Sequence, residues 1–214
     1  MVMRGLMRRV LAVVAVLGLP SCASAAKAPP AVRERAPVMM FVGDSFTVGS
    51  GPVPPWRSYA TQAARLLGGQ PIIAGAAGTG FCNEGRAGRT FQRSYEEELA
   101  WRPAPDLLVI AGGHNDRRWS PEQVRGAAAS LLAEVRAHWP RTRTVVIGPL
   151  WLKEPPRKAY AVRDAVAQAA RAGKVTFLDP MRVSWPEEAI LPDGVHPTLA
   201  GHRSLATWLA AQLG

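Results

Sequence analysis

The chain has few cysteines, few acidic residues and no long apolar segment, and each shortage excludes a class of protein. Two cysteines in 214 residues cannot build a disulfide framework or a zinc site of the CxxC…CxxC kind. The longest apolar run, residues 10–19, is about half of the roughly 20 residues that a membrane-spanning helix needs. Hydrophobic residues make up 48% and charged residues 20%, which excludes a wholly disordered or collagen-like chain. The length suggests one domain.

Acidic residues are outnumbered by basic ones, so the chain carries a net charge of +10. The basic residues are 22 arginines and only 4 lysines. Nucleic acid is the first partner that such a charge suggests. The basic residues are scattered, however, with no run and no interleaved aromatic residues, so we expect no nucleic-acid partner.

The first 25 residues have the order of a secretory signal peptide. Three arginines precede the apolar run at residues 10–19, and residues 23–25, Ala-Ser-Ala, offer a small-x-small cleavage site. Residues 19–22 also resemble the lipobox of bacterial lipoproteins, in which Cys22 would be lipidated after cleavage. Both cleavage sites remain open. Either one predicts an exported protein, secreted or held at the cell envelope by a lipid on Cys22.

Residues 26–37 contain three prolines and little to bury, which is typical of a linker. The folded domain is then expected over residues 38–214. Cys82 is the one cysteine of that domain. Two roles are open for Cys82: a catalytic thiol or a small buried hydrophobic residue.

From residue 38 onwards, short apolar runs alternate with segments of helical pattern. The runs occupy residues 38–42, 71–74, 107–111, 144–147 and 175–178. Such runs are typical of parallel strands that are buried on both faces. Helices are expected at residues 56–67, 91–101, 159–172 and 199–213, and one from Ser120 onwards. Ser120 has Pro121 at the first helical position and Gln123 three residues on, the signature of a helix N-terminus. The alternation predicts a single α/β domain with a five-stranded parallel sheet between two layers of helices.

Four blocks of glycine and polar residues follow the predicted strands. Ligands of open α/β sheets bind beyond the carboxyl ends of the strands, so these blocks are candidates for a site. They are residues 43–46 (Gly-Asp-Ser-Phe), 75–80 (Gly-Ala-Ala-Gly-Thr-Gly), 112–116 (Gly-Gly-His-Asn-Asp) and 193–197 (Asp-Gly-Val-His-Pro). Each block alone is a common turn sequence.

Together and in this order, the four blocks resemble those of the SGNH hydrolase superfamily, the GDSL esterases and lipases. The resemblance covers residues 38–214. It implies a flavodoxin-like domain that cleaves acyl esters through an acyl-enzyme intermediate, with no cofactor and no metal. The substrate stays open as a small-molecule, lipid or polysaccharide ester. The Gly-x-Ser-x-Gly turn of the α/β-hydrolases is absent, since Thr47 stands where its second glycine would be.

The resemblance implies a catalytic Ser45, His196 and Asp193. A serine hydroxyl is a weak nucleophile and needs an adjacent base. His196 would take the proton of Ser45, and Asp193, three residues earlier, can reach the other imidazole nitrogen and hold the tautomer. Of the four histidines, only His196 has an aspartate so placed.

The resemblance also implies an oxyanion hole with three donors. These are the backbone N–H of Ser45, the backbone N–H of Gly78 and the side-chain amide of Asn115. Donors that are already in place stabilise the charge of the tetrahedral intermediate. We expect Gly78 to be required because the absence of a Cβ lets the backbone approach closely.

The other histidines and two aspartates receive supporting roles. His138 and His202 lie in predicted helices and are expected to be packing or surface residues. His114 lies inside the third block and is expected to line the pocket. Asp44 and Asp116 are expected to accept hydrogen bonds that organise loops.

Two functions from different classes remain open. The first is an exported serine ester hydrolase, acting on short acyl groups such as acetyl on carbohydrate or on small esters. The second is a non-catalytic envelope protein that binds a glycan or a lipid on the same fold. The complete set of five site residues favours the enzyme. No long insertion follows any predicted strand, so we expect a shallow, open pocket. We also expect a monomer.

Basic residues are frequent in the segments that follow the second, third and fourth predicted strands. They are Arg86, Arg89, Arg93, Arg117, Arg118, Lys153, Arg157 and Lys158. These segments border the cleft mouth of an open α/β sheet. Two hypotheses follow: the loops are simply solvated, or a basic rim attracts an anionic polymer or a membrane surface that carries the ester.

Overall fold

The computed structural model describes residues 35–49 and 51–214. The predicted signal peptide at residues 1–25 and most of the predicted linker lie outside the described residues. Residues 35–37 lead into the sheet without helix or strand, and Arg35 forms an ion pair of 3.1 Å with Asp106. In the described part of the chain, no helix is both long enough and apolar enough to span a membrane.

Five parallel strands form one sheet. They are β1 (Val38–Gly43), β2 (Gln70–Gly75), β3 (Leu107–Ala111), β4 (Arg143–Ile147) and β5 (Thr176–Leu178). Their order across the sheet is β2-β1-β3-β4-β5, with every neighbouring pair parallel. This is the order of flavodoxin-like domains. The predicted single domain with a five-stranded parallel sheet is confirmed, and the strand positions agree to within one residue at every end.

Within the described residues, six α-helices connect or follow the strands. They are α1 (Ser45–Val48), α2 (Tyr59–Leu66), α3 (Phe91–Glu98), α4 (Pro121–His138), α5 (Arg157–Ala172) and α6 (Leu199–Leu213). Helix α4 begins where its cap predicts: the Ser120 hydroxyl accepts from the Gln123 N–H, and the Gln123 side chain accepts from the Ser120 N–H. Helix α2 is shorter than predicted because a separate 3₁₀ turn, Pro55–Arg57, precedes it.

The helices cover both faces of the sheet, as the three-layer prediction requires. Helices α3, α4 and α5 pack on one face around a core that includes Leu108 and Ile110 of β3. Helices α2 and α6 pack on the other face around Phe41 and Val109. His202 of α6 is fully buried there, and its Nδ1 accepts the backbone N–H of Tyr59 at 3.0 Å, which confirms a packing role.

The strand register brings three of the four blocks to one edge of the sheet. Gly43, the last residue of β1, is level with Gly75 of β2 and with Ala111 of β3. The connections that leave β1 and β3 run to opposite faces of the sheet, which opens a crevice between these strands. The blocks that follow β1, β2 and β3 therefore meet at this crevice.

Candidate active site

Ser45 is the first residue of α1 and directly follows the turn that ends β1. Asp44 caps this short helix, since its Oδ1 accepts the backbone N–H of Phe46 at 3.0 Å. Gly43 is required by the same turn, because a Cβ there would overlap the side chain of Thr47 and the carbonyl oxygen of Ala111. The tight strand-to-helix turn fixes Ser45 at the crevice.

Ser45, His196 and Asp193 form a hydrogen-bonded chain, as predicted. Ser45 Oγ lies 3.1 Å from His196 Nε2, and His196 Nδ1 lies 2.7 Å from Asp193 Oδ2. The hydrogen bond from the His196 ring, together with the N–H groups of Val195 and His196, lowers the pKa of Asp193 to about 2. An ionised Asp193 holds the proton of His196 on Nδ1 and leaves Nε2 free to accept one from Ser45.

The predicted backbone donors are free in this structure. Within the described residues, neither the Ser45 N–H nor the Gly78 N–H has a backbone hydrogen-bond partner. The predicted close approach of the Gly78 backbone concerns a bound substrate; within the protein itself the reason for a glycine is a different one. A Cβ at this position would have room, since the nearest atom is the Cα of Gly85 at 3.6 Å. Gly78 is required because its φ of +80° lies in the left-handed region.

Asn115 links three of the four blocks. It lies in a 3₁₀ turn after β3, His114–Asp116. Its side-chain nitrogen is 2.9 Å from the carbonyl oxygen of Thr79 and 3.3 Å from Asp44 Oδ2. Both amide hydrogens therefore have acceptors in this structure. To stabilise an oxyanion, Asn115 must share one of them or exchange its partner.

The loop after β2 is held by Asp116, as predicted. The carboxylate of Asp116 accepts the backbone N–H groups of Phe81, Cys82 and Asn83 at 3.0, 2.9 and 2.9 Å. Asp44 is also buried, and its burial raises its pKa to about 7. Both aspartates organise loops around Ser45, which confirms their predicted role as hydrogen-bond acceptors.

Asn83 is a supporting residue that the sequence did not reveal. The Asn83 side-chain amide donates to the backbone carbonyl oxygen of Gly78 at 2.6 Å. The backbone carbonyl oxygen of Asn83 accepts the Gly80 N–H at 2.7 Å. These bonds hold the left-handed turn at Gly78. The only signal in the sequence is an asparagine between Gly80 and Gly85, which is typical of any turn.

His114 and Cys82 line the cleft beside Ser45. The His114 ring stacks on Trp151 with 4.2 Å between centroids, and burial lowers its pKa to about 4. His114 is therefore neutral at neutral pH and fills the wall, as predicted. Partial burial and the nearby Asp116 raise the pKa of Cys82 to about 11. This keeps Cys82 as a thiol and disfavours a nucleophilic role.

The cleft at Ser45 has a volume of about 1310 Å³. Five basic residues line it: Arg86, Arg117, Arg118, Arg157 and Lys158. The sequence had placed three more basic residues at its mouth, Arg89, Arg93 and Lys153, and these do not line it. In the described part of the chain, no group of three or more His, Cys, Asp or Glu residues is arranged to hold a metal ion.

Comparisons with known proteins identify the family and the fold. The profile of the GDSL-like lipase/acylhydrolase family matches residues 41–204. The chain is 30% identical to GDSL lipase Rv0518 of Mycobacterium tuberculosis, over 91% of this chain and 89% of that protein. Among solved structures, it resembles a family two carbohydrate esterase from Clostridium thermocellum with a TM-score of 0.70, at 22% identity over 84% of this chain and 64% of that one. It also resembles Est24, a carbohydrate acetylesterase from Sinorhizobium meliloti, with a TM-score of 0.68, at 19% identity over 83% of this chain and 98% of that one.

The fold and the arrangement at the crevice are those of an SGNH-type hydrolase. The chain belongs to the GDSL-like lipase/acylhydrolase family, and it is accordingly a hydrolase of ester bonds. The structural neighbours below 25% identity support the fold alone.

Proposed function

We propose that the protein is an exported serine esterase that removes short acyl groups, such as acetyl, from carbohydrate or small alcohols. The observation that carries the proposal is the hydrogen-bonded chain from Ser45 through His196 to Asp193 beside an open cleft. A protein that only binds a glycan or a lipid has no need of this chain. Export rests on the signal-peptide pattern of residues 1–25.

The first half of the reaction transfers the acyl group to the enzyme. Ser45 Oγ attacks the carbonyl carbon of the ester while His196 Nε2 accepts the hydroxyl proton. The negative charge moves to the former carbonyl oxygen, where the N–H groups of Ser45 and Gly78 and the amide of Asn115 stabilise it. The bond from carbon to the alcohol oxygen then breaks. His196 gives its proton to the leaving alcohol, and Ser45 carries the acyl group.

The second half releases the acid. A water molecule takes the place of the alcohol, and His196 removes its proton as it attacks the acyl carbon. The same donors stabilise the second tetrahedral intermediate. When this collapses, the bond to Ser45 Oγ breaks, and the serine recovers its proton from His196. Asp193 stays ionised throughout and stabilises the charged imidazole ring between the two steps.

The lining of the cleft supports a short acyl group. Among the described residues that line it, the purely aliphatic side chains are only Ala77, Pro156 and Val195. Each buried methylene group of an acyl chain would contribute about 0.8 kcal/mol if apolar surface were there to receive it. Because the cleft is open to solvent, a longer chain would keep much of its surface in water and gain little of this energy. The carbohydrate esterases that share this fold make an acetylated sugar a reasonable substrate.

A series of p-nitrophenyl esters from acetate to dodecanoate tests the proposal. We expect kcat/KM to be highest for the acetate or butyrate and to fall steadily for longer chains. The Ser45→Ala variant is the matched control and should hydrolyse none of them above background. Rates that rise through the octanoate and beyond would contradict the short-acyl assignment. Failure of the folded protein to hydrolyse any ester would contradict the esterase itself.

A further inference from the structure

The cleft beside Ser45 is strongly basic. We name Arg86, Arg117, Arg118, Arg157 and Lys158 the basic rim; all five side chains are exposed and line the cleft. One carboxylate, that of Glu84, lines the same cleft. A concave surface lined by charges of one sign concentrates its field in the cleft.

The basic rim differs from the neighbouring arginines in its pairing. Arg89 lies 3.0 Å from Glu98, and Arg93 lies 2.7 Å from Glu97. Within the described residues, no member of the rim forms an ion pair with a carboxylate. Arg117 is held in place all the same. Its Nε donates to the carbonyl oxygen of His114 at 2.9 Å, and its Cζ lies 5.0 Å from the centre of the Trp151 ring.

Two members of the basic rim, Arg157 and Lys158, do not stabilise the helix on which they lie. Arg157 and Lys158 are the first two residues of α5, and the first turn of this helix contains no acidic residue. The amino end of a helix already carries a partial positive charge, so cations there are repelled rather than stabilised. Arg117 and Arg118, directly after the third block, add like charge to the same cleft. An anionic ligand would compensate this repulsion.

Trp119 adds a flat apolar surface to the same cleft. Its side chain is 37% exposed, and it lines the cleft next to the basic rim. The face of an indole ring is slightly negative and attracts the C–H bonds on one side of a sugar ring. The other exposed large hydrophobic residues of the described chain, Trp56, Leu66 and Trp101, do not line the cleft. An apolar patch that could enter a bilayer is therefore lacking around the cleft in this part of the chain.

We propose that the alcohol part of the substrate is a negatively charged polysaccharide, bound by the basic rim and stacked on Trp119. This inference rests on the proposed esterase function and specifies its substrate class. Steering by the rim raises the rate of encounter with such a polymer. The advantage falls with salt, since the Debye length shrinks from about 10 Å at 0.1 M to about 3 Å at 1 M.

The test compares acetylated polygalacturonate, which is anionic, with acetylated amylose of equal acetyl content, which is neutral. We expect kcat/KM to be about tenfold higher for the anionic polymer at low salt and nearly equal for both polymers at 1 M salt. In the triple variant Arg86→Gln/Arg118→Gln/Arg157→Gln, the low-salt ratio should fall close to one. A matched triple variant of exposed arginines away from the cleft, Arg125→Gln/Arg136→Gln/Arg171→Gln, should keep the wild-type ratio.

Further results distinguish a failure of the polysaccharide inference from a failure of the proposed esterase function. Equal rates and equal salt dependence for the two polymers would overturn the inference while leaving the esterase intact, and p-nitrophenyl acetate reports on the esterase separately. Inhibition of p-nitrophenyl acetate hydrolysis by phosphatidylglycerol vesicles but not by deacetylated polygalacturonate would overturn it in favour of a membrane surface.

Trp119→Ala should raise KM for both polymers by a similar factor. Unchanged KM values in this variant would remove Trp119 from the proposed site.

Discussion

The side-chain amide of Asn115 lies 3.3 Å from Asp44 Oδ2, across 71 residues of sequence. The same amide bonds the carbonyl oxygen of Thr79 at 2.9 Å. One side chain thus ties the loop after β3 to the turn that carries Ser45 and to the loop that carries Gly78. Because Asp44 also caps α1 through Phe46, its carboxylate sets both the position of Ser45 and the orientation of Asn115.

Replacing Asp44 by asparagine should disturb this arrangement without unfolding the turn. An asparagine can still accept the Phe46 N–H, but its own NH₂ group would then face the NH₂ group of Asn115. At pH 8, above the Asp44 pKa of about 7, we expect kcat to fall about ten- to a hundredfold, the equivalent of one charged hydrogen bond, with little change in KM. Asp106→Asn, at an exposed carboxylate far along the strands from Ser45, is the control and should keep wild-type kinetics. Wild-type kcat in Asp44→Asn would show that this contact does not orient Asn115.

Removal of the Asn115 side chain should affect turnover more than binding. Asn115→Ala takes away one of the three proposed oxyanion donors, so kcat should fall by about 10²–10³ while KM stays close to its wild-type value. Kinetics and the melting temperature should be measured on one preparation. A lower melting temperature with normal kcat would mean that Asn115 only holds the loops together.

The fold could be predicted from the sequence because its signals are local. Each buried strand is a short apolar run, and α4 carries its own capping residues. The candidate site residues could be assigned because four blocks in a fixed order resemble those of a known family, and the structure brings Ser45, His196 and Asp193 of these blocks together. Ser45 could be placed at the end of β1 from the local sequence alone, without knowledge of contacts between distant segments.

Features that depend on contacts between distant segments could not be predicted. The support of Gly78 by Asn83 arises only when the loop after β2 folds back on itself. The pairing of Arg93 with Glu97 could have been read from their i,i+4 spacing, but that of Arg89 with Glu98 depends on how this loop meets α3. For this reason the prediction from sequence assigned Arg89 and Arg93 to the cleft mouth, although both form ion pairs with glutamates of α3.

Asp193→Asn should reduce kcat, because the variant no longer has the carboxylate that holds the proton of His196 on Nδ1. A buried aspartate in this role is worth about 10⁴ in turnover. The Asp193 side chain is 48% exposed, so water screens its charge and we expect a smaller loss, about 10².

The pKa of Asp193, about 2, also predicts the form of the pH profile. This depressed value keeps Asp193 ionised above pH 4, so Asp193 gives no acid limb in kcat/KM above that pH, whereas His196 must be neutral to act as a base. Asp44, whose burial raises its pKa to about 7, also loses a proton in this range, so the limb should persist in Asp44→Asn if it belongs to His196. The rate should therefore rise with pH. A flat profile from pH 5 to 8 would remove His196 from the mechanism.

His202 should make the fold less stable in acid. Burial, and then the nearby His196, lower its pKa from 6.5 to about 4, so the unfolded chain binds a proton that the folded protein excludes. The stability from the neutral ring is present above pH 6.5 and is lost as the pH falls towards 4. Between pH 7 and pH 5 the wild type should lose about 2 kcal/mol more unfolding free energy than His202→Gln. Urea denaturation measures this difference. His138→Gln, at an exposed site on α4, should match the wild type, and equal losses in wild type and His202→Gln would contradict the account.

The most direct test of an activated Ser45 is labelling with a fluorophosphonate probe, followed by mass spectrometry of the intact protein and its peptides. The probe reacts with a serine only where a neighbouring base removes the hydroxyl proton and donors stabilise the oxyanion. We predict one adduct per chain, on Ser45, which is absent from Ser45→Ala and formed far more slowly in His196→Ala. A folded wild-type protein that takes up no probe, or an adduct that persists in Ser45→Ala, would contradict the assignment of Ser45 as the nucleophile.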